Sequence, residues 1–366
     1  SSLGFKIKEK NTQFEIEIPT FRPDIIGEAD IIEEILRIYG FDKIPLKKIN
    51  NHEDKKEILN SSIKTYHKSK KIIASKGYLE VVTWSFMDEI KAKIISNDLI
   101  SLKNPISADL NTMRPSTFPN LLEAINQNKA RMYSSAKIFE VGPNFSKSLD
   151  DQQENVASAI IYGSIDEQNW LSNNKSSDVY NVKSDLFSIL DSFNVPTDNL
   201  LYEKVEGQIY HPGKSSSLRL GKNMIAKFGE IHPILLKIMD INFKVFGFEI
   251  FLDNISQFQE FRSTSRGGFV NNPLQMVERD FAFLFPKEIQ ANEIVKKVKK
   301  IDKNIIHKVT IFDVYDGDKL PDDKKSIAFR ILLQPQDKTF NDKEIENLSQ
   351  QIIELISKTF DASIRK

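Results

Sequence analysis

The sequence predicts an α+β protein whose main sheet is antiparallel and whose chain folds as several domains. Runs in which apolar and polar residues alternate outnumber the helical patterns, and this alternation is typical of strands with one buried face. The length of 366 residues suits two or three domains. Two polar stretches, residues 46–56 and 257–270, read as linkers. We therefore expect domains at residues 1–48, 56–256 and 271–366.

The composition excludes several classes of function. Lys and Arg total 51, as do Asp and Glu, so any contact with RNA must rest on local geometry rather than on net charge. The absence of Cys excludes disulfides and thiolate metal sites. No apolar run reaches the ~18 residues of a membrane span, and residues 1–5 lack the pattern of a signal peptide. We expect a cytoplasmic protein without membrane contacts, cut from a longer chain because an initiator Met is missing.

The first domain is predicted to be a hairpin followed by one helix. Apolar residues alternate with charged ones from Phe5 to Ile18, with Lys10 and Asn11 as the turn. A helix should run from about residue 28 to 39, where Gly40 stops it. Because these elements make a poor core alone, the module should be incomplete at its N-terminus or should borrow a partner surface.

The middle domain is predicted as a mixture of strands and helices on an antiparallel sheet. Helices are expected at residues 58–76, 118–132 and 182–193. Strands are expected at residues 79–86, 137–141, 156–162, 216–220, 224–228 and 245–251.

The last domain has the clearest pattern. Strands are predicted at residues 279–285, 307–315 and 326–333, helices at 291–300 and 341–360, and a final strand at 362–365. The resulting order, βαββαβ, is that of the ferredoxin-like split unit.

Four carboxylates, those of Asp24, Asp30, Glu33 and Glu34, form the sharpest polar cluster. Positions 30, 33 and 34 should share one helix face, opposite the face that carries Ile residues. Carboxylates without His or Cys suit a hard cation such as Mg²⁺. Spacing alone favours the alternative, a solvated acidic face near the positive end of a helix.

The sequence contains no motif for a zinc site, a nucleophilic serine or a nucleotide-phosphate loop. The five His residues lack ligand spacing, and no G-x-S-x-G, G-x-x-x-x-G-K or G-x-G-x-x-G motif is present. His211 and His232 each precede Pro, which predicts loop positions. Tyr315, at a strand end, could stack on an unpaired base, but such a residue more often packs within the fold.

Several motifs resemble the β subunit of bacterial phenylalanyl-tRNA synthetase. Residues 19–25 and 30–45 are similar to its small helical module. In that family the acidic positions matching Asp24, Asp30, Glu33 and Glu34 are Mg²⁺ ligands at the contact with the α subunit. The resemblance therefore implies that the metal interpretation is the better one.

The middle domain resembles the family's synthetase-like core. The similar stretches are residues 104–107, 113–116, 119–122, 138–142, 211–215 and 228–233. That core is similar to a class II synthetase catalytic domain that has lost its catalytic signature, which implies a class II synthetase-like antiparallel sheet here and no catalytic residue.

The last domain resembles the family's ferredoxin-fold anticodon-binding domain, through residues 278–283, 311–317, 324–329 and 337–342. The resemblance implies that Tyr315 stacks on the first anticodon base and that Asp313 accepts hydrogen bonds from a guanine edge. Ala282 and Ser326 would line the pocket. A carboxylate beside an aromatic platform suits a splayed single-stranded base.

The resemblance implies a part of phenylalanine–tRNA ligase that is itself noncatalytic. The α subunit would carry the ATP-dependent attachment of phenylalanine to tRNA(Phe), in an α2β2 assembly that does not bind DNA. Two alternatives stay open: a degenerate paralogue that acts only as an interaction scaffold, and a metal-dependent hydrolase that uses the acidic cluster.

Overall fold

The computed structural model describes residues 2–47, 59–149, 152–165, 170–171, 175–260, 272–317 and 320–365. The chain divides into two compact units, Ser1–Leu59 and Asn60–Lys366. The predicted linkers lie largely outside the described residues, the first from residue 48 and the second from residue 261. Within the second predicted linker, residues 257–260 are described and belong to a helix, so the linker prediction was wrong for these four residues.

The first unit contains the predicted hairpin and helix. Strands β1 (Lys6–Lys10) and β2 (Gln13–Glu17) pair antiparallel, and Lys10 faces Gln13 across a two-residue turn. Asn11 begins that turn with φ 54°, a left-handed conformation that Asn tolerates well. The predicted turn was therefore wrong by one residue, because Lys10 still pairs in the strand. Helix α1 (Glu28–Tyr39) confirms the predicted bounds.

Little apolar surface is buried in this unit. Among its described apolar side chains, only Phe5 and Ile25 are buried. Phe14, Phe21 and Ile26 are 66%, 70% and 87% exposed. The hairpin and helix thus make the small core that the sequence predicted.

The second unit begins with a seven-stranded sheet. Its strands are β3 (Leu79–Glu80), β6 (Ala136–Phe145), β7 (Gln153–Tyr162), β8 (Leu201–Glu203), β9 (Tyr210–Leu220), β10 (Asn223–Ile231) and β11 (Val245–Phe251). They lie in the order β3-β6-β7-β11-β10-β9-β8. All pairs are antiparallel except the parallel pair of β3 and β6, which confirms the predicted antiparallel α+β architecture. A separate short ribbon pairs β4 (Phe86–Met87) with β5 (Thr112–Met113).

Helices cover both faces of the large sheet. They are α2 (Ser61–Ser75), α3 (Glu89–Ile95), α4 (Phe118–Ala130), α5 (Val179–Ser192), α6 (Pro233–Ile238) and α7 (Leu252–Glu260). One apolar cluster joins a sheet face to α2, α5 and α7, and a second joins the opposite face to α4 and α6. The alternation of apolar residues along the strands supplies both clusters.

Two local predictions in this unit were wrong. The predicted strand at residues 79–86 is split between β3 and β4, because Thr83 and Trp84 bond to the buried side chain of Arg114 instead of continuing a ladder. The predicted loop at His211 belongs to β9, whose ladder with β10 tolerates the following Pro at a bulge. His232 lies outside the strands, as predicted, and caps α6.

The last part of this unit confirms the βαββαβ order. Strands β12 (Val277–Pro286), β13 (Ile306–Tyr315), β14 (Lys324–Leu333) and β15 (Ser363–Ile364) form a sheet in the order β13-β14-β12-β15. Helices α8 (Ala291–Lys299) and α9 (Asp342–Phe360) pack on one face through an apolar cluster. None of the helices in the described ranges is long and apolar enough to cross a membrane.

Candidate functional site

The candidate site lies on the face of the four-stranded sheet that points away from α8 and α9, here called the outer face. Phe281, Phe283 and Phe329 belong to the apolar cluster under the helices. Because neighbouring strand residues point to opposite faces, Ala282 and Ala328 lie on the outer face.

One row of residues crosses the whole outer face. Ala328 pairs with Asp313 on β13 and with Ala282 on β12. The carbonyl of Ala282 accepts a hydrogen bond from the backbone N–H of Arg365 at 2.9 Å. The row therefore runs from a carboxylate through two methyl groups to a guanidinium, and its middle is flat and apolar.

The neighbouring row contributes an aromatic ring and a hydroxyl. Tyr315 pairs with Ser326, and Ser326 pairs with Leu284. The hydroxyl of Ser326, 1% exposed, accepts a hydrogen bond from Nη1 of Arg365 at 3.1 Å. The guanidinium carbon of Arg365 is 5.5 Å from the centre of the Tyr315 ring, within the range of a cation–π contact.

Gly317 supports the aromatic ring from the following turn. A Cβ at this position would lie 2.6 Å from the Tyr315 hydroxyl, which is closer than van der Waals contact allows. Any larger residue would therefore displace the ring.

The structure brings the four residues predicted for this site together on one face. Ala282 and Ser326 form the floor, Tyr315 is half-buried beside it, and Asp313 is exposed at the edge strand. Their binding role stays a prediction. Sequence reasoning missed Ala328 and Arg365, although the predicted final strand, placed beside β12, would have brought Arg365 to the same row. Chemically, the arrangement can stack a planar ring and bond both of its edges.

The predicted metal ligands lie in the first unit, around Arg22. Its guanidinium contacts Asp24 at 2.6 Å and Glu34 at 2.9 Å, and Arg37 contacts Glu34 at 2.7 Å. Hydrogen bonds from Arg22 and then Arg37 lower the pKa of Glu34 to about 2. Arg22 likewise lowers the pKa of Asp24.

Asp30 has a different environment. One carboxylate oxygen of Asp30 accepts hydrogen bonds from the backbone N–H groups of Ile26 and Gly27, at 2.8 and 2.9 Å. These bonds lower the pKa of Asp30. This is the negative charge that a helix N-terminus favours.

The helix-face prediction was wrong for Glu34. It is 9% exposed and lines the same groove as Ile31, Ile35 and Ile38, because positions 31, 34, 35 and 38 are neighbours on a helix. The all-oxygen donor set suits Mg²⁺. Arg22 bridges two of the carboxylates, those of Asp24 and Glu34, and binding of the ion by this cluster stays a prediction. Among the residues that the structure describes, no group of three or more His, Cys, Asp or Glu side chains could hold a metal ion.

The large sheet carries buried polar side chains that bond to one another. Arg114, 1% exposed, contacts Glu140 at 2.8 Å, and Thr83 donates to the same carboxylate at 2.6 Å. Asn144 donates to Glu249 at 3.0 Å, and burial raises the pKa of Glu249.

Three family models match successive parts of the chain. The "tRNA synthetase B5 domain" matches residues 1–41, the "Phenylalanyl tRNA synthetase beta chain CLM domain" residues 48–252, and the "Ferredoxin-fold anticodon binding domain" residues 273–365. The second match alone covers more than half of the chain. The chain belongs to the phenylalanine–tRNA ligase β-subunit family. The last match contains the whole outer-face site.

Relatives of this β-subunit family align along the whole chain. The phenylalanine–tRNA ligase β subunits of Rhodospirillum rubrum and Bartonella quintana are 36% and 35% identical to it over 100% of its length, and each alignment covers 46% of the relative. The chain thus spans about half the length of these relatives. Among solved structures, a pyrrolysyl-tRNA synthetase from Desulfitobacterium hafniense aligns with 64% of the chain and 73% of its own, at 14% identity and a TM-score of 0.45.

Proposed function

We propose that this chain is the part of a phenylalanine–tRNA ligase β subunit that holds the tRNA anticodon and supports a catalytic α subunit. The observation that carries the proposal is the outer-face site within the part matched by the anticodon-binding family model. The ligase attaches phenylalanine to tRNA(Phe) with ATP bound by the α subunit, in an α2β2 assembly in the cytoplasm.

The outer face has the chemistry that an unstacked guanine requires. Tyr315 presents a half-buried ring on which a base can stack, and Ala282 and Ala328 leave a flat floor beside it. The carboxylate of Asp313 is exposed, so it can accept from the N1–H and N2–H groups of guanine. Adenine lacks both donors at these positions, so Asp313 can discriminate guanine from adenine.

A supporting rather than a catalytic role for the core agrees with its buried polar network. The guanidinium of Arg114 bonds to Glu140, to Thr83 and to the carbonyl of Pro143. Glu249 is held by Asn144. Side chains that bond to one another inside the protein are not presented to a substrate.

A Mg²⁺ site at Asp24, Asp30, Glu33 and Glu34 is part of the proposal only as an inference from the family resemblance. The oxygen donors suit the ion. Binding would require Arg22 to release Asp24 and Glu34, so the ion and the guanidinium would compete.

The experiment is reconstitution with the α subunit of the same ligase. The chain and the α subunit are purified separately, mixed, and tested for co-elution and for charging of tRNA(Phe). We expect charging only from the mixture, and no ATP–pyrophosphate exchange by the chain alone. Co-elution without tRNA use would favour the scaffold-only alternative, and exchange by the chain alone would refute the noncatalytic role.

Tyr315→Ala tests the anticodon site in the same assay. We expect a KM for tRNA raised about fivefold or more with little change in kcat, because loss of a base–aromatic stack costs about 1–3 kcal/mol. Phe312→Ala is the matched control, since Phe312 is a 55% exposed aromatic on the same strand that contacts Arg330 instead. Equal effects of the two variants would contradict the site.

A further inference from the structure

We propose that a cleft within the second unit, between the seven-stranded sheet and the edge strand β13, binds the phosphate backbone of the tRNA anticodon arm, with Lys183 as a phosphate-binding residue. This inference rests on the proposed function, because it follows the same RNA beyond the base site. It assigns an RNA contact to the core, which the base site does not involve.

The cleft lies along the edges of the two sheets. It has a volume of about 1080 Å³ and is lined by α5, α8, β8, β9 and residues 308–314 of β13. Strands β8 and β13 are each the last strand of their sheet. Because consecutive strand residues point to opposite faces, a cavity lined by a continuous run of them lies along the edge of the strand. Lys299 of α8 also contacts Asp198 of the core at 3.4 Å, so the two walls meet within one folded unit.

The cleft carries positive charge that the described part of the chain does not neutralise. Three lysines line it, namely Lys183, Lys204 and Lys308. None of the three forms an ion pair with another residue in the described ranges. Of the two carboxylates in the lining, that of Glu203 contacts Arg219 at 2.9 Å, and that of Asp313 belongs to the base site. The cleft therefore suits an anionic occupant.

Lys183 has an environment that an ordinary surface lysine lacks. Its ammonium lies 5.4 Å from the ring centre of Phe187 and 5.2 Å from that of Tyr202, within the range of cation–π contacts. The side chain is half-buried, and burial lowers the pKa of Lys183. Holding a partly desolvated cation without a counter-ion is unfavourable, and a phosphate in the cleft would relieve that cost.

The surroundings favour an RNA backbone as the anion. Asp313 lines the cleft and also ends the row that crosses the outer face, so a strand whose base lies on that face can cross β13 into the cleft. Tyr180 is 72% exposed and lies in the same lining. A basic groove with exposed aromatic side chains is typical of proteins that bind single-stranded nucleic acid.

Two other roles for the cleft make different predictions. Lys308 lies on an edge strand and Lys204 directly follows one, and lysine at a sheet edge prevents pairing with another strand. That role does not account for Lys183, which lies on helix α5. The two edges also offer backbone groups to an extended acidic peptide of a partner protein. Loss of Lys183 would then weaken binding of the partner and leave RNA binding unchanged.

The experiment measures binding of the purified 366-residue chain to fluorescent tRNA(Phe) anticodon stem–loops by anisotropy, from about 50 to about 200 mM salt. The first anticodon base is guanine or adenine. Lys183→Met keeps a long apolar side chain without the charge, and Lys183→Arg keeps the charge. Lys237→Met is the matched control, because Lys237 is an exposed lysine on α6, which packs on the opposite face of the large sheet. Tyr315→Ala reports on the proposed function itself.

Lys183→Met should bind about five- to eightfold more weakly near 0.1 M salt, and its plot of log affinity against log salt should be flatter by about 0.7–0.9, the contribution of one phosphate contact. The loss should be equal for guanine and adenine, since a phosphate carries no base identity. Lys183→Arg should keep most of the salt dependence, and Lys237→Met should bind as the wild type does.

The outcomes separate this inference from the proposed function. If Lys183→Met matches Lys237→Met while Tyr315→Ala weakens binding, this inference is overturned and the proposed function survives. If Lys183→Met weakens co-elution with the α subunit and leaves stem–loop binding unchanged, the occupant is a peptide and the RNA assignment is wrong. If the wild type binds no stem–loop, or if Lys183→Met and Tyr315→Ala both bind as the wild type does, both are overturned.

Discussion

The buried ion pair of the core gives a sharp prediction about stability. Arg114 and Glu140 are 1% and 4% exposed, and their side chains meet at 2.8 Å. Replacing Arg114 with Met keeps most of the volume but leaves Glu140 with the Thr83 hydroxyl as its remaining bond among those described above. Breaking one partner out of a buried pair costs about 3–5 kcal/mol, because a buried charge is left without compensation.

The cost of breaking this ion pair is large relative to the free energy of unfolding of a domain. A domain is typically stable by about 5–15 kcal/mol, so Arg114→Met, at about 3–5 kcal/mol, should remove roughly a fifth or more of the stability of the core. Arg114→Met combined with Glu140→Leu removes both charges and should cost less than the single change. The informative quantity is therefore the coupling free energy between positions 114 and 140.

The assay is urea denaturation followed by tryptophan fluorescence. Trp84 is a local probe, because its carbonyl accepts a hydrogen bond from Arg114 at 3.4 Å. The prediction is a strongly lowered midpoint for the single variant and partial recovery for the double variant. A single-variant cost below about 1 kcal/mol, the range of an exposed pair, would refute the reasoning.

Three further predictions follow from other parts of the chain. Burial, then the charges of Glu249 and Asp253, raise the pKa of Glu154 from 4.5 to about 7. Its folded form holds a proton that the unfolded form releases, so this stability is present below pH 4.5 and lost as pH rises through 7. The stability lost across this pH range is roughly 1–2 kcal/mol after allowance for the partial exposure of Glu154. Urea midpoints measured at pH 4.5 and at pH 7 should therefore differ less in Glu154→Gln than in the wild type. Arg22→Gln should increase the rise in Tm that excess Mg²⁺ produces, since the competing cation is gone; an unchanged Mg²⁺ response in thermal melts would count against the metal proposal. Gly317→Ala should weaken stem–loop binding about three- to tenfold, with unchanged Tm, by displacing the aromatic platform; normal anisotropy titrations would contradict that geometry.

The sequence identified helices and strands correctly where one period of apolar residues dominated a segment. Helix α1 and strand β11 have the predicted bounds, and the βαββαβ order of the last domain is confirmed, because each has clear periodicity and clear stops. Where side chains replace the ladder, as Arg114 does beside Thr83, local alternation misled the prediction. Such long-range contacts leave no signal in a short window.

The candidate site also contains residues that the sequence identified and residues that it missed. Asp313 and Tyr315 were identified through a motif, and the structure places them beside Ala282 and Ser326. Arg365 was missed because its contacts with Ser326 and Tyr315 depend on a side chain that crosses two strands. In the acidic cluster, the spacing of the residues could not show that Arg22 bridges Asp24 and Glu34, because that contact joins a loop to a helix turn twelve residues further along the chain.

The central claim, that the outer face receives the first anticodon base, is tested most directly by photocrosslinking. A tRNA(Phe) carrying 6-thioguanosine at that position is irradiated with the chain, and the crosslinked peptide is identified by mass spectrometry. We predict crosslinks to the segments that contain Tyr315, Ser326 or Arg365, and their loss when unlabelled tRNA(Phe) competes. Crosslinks confined to the first unit, Ser1–Leu59, or to the seven-stranded sheet would contradict the account.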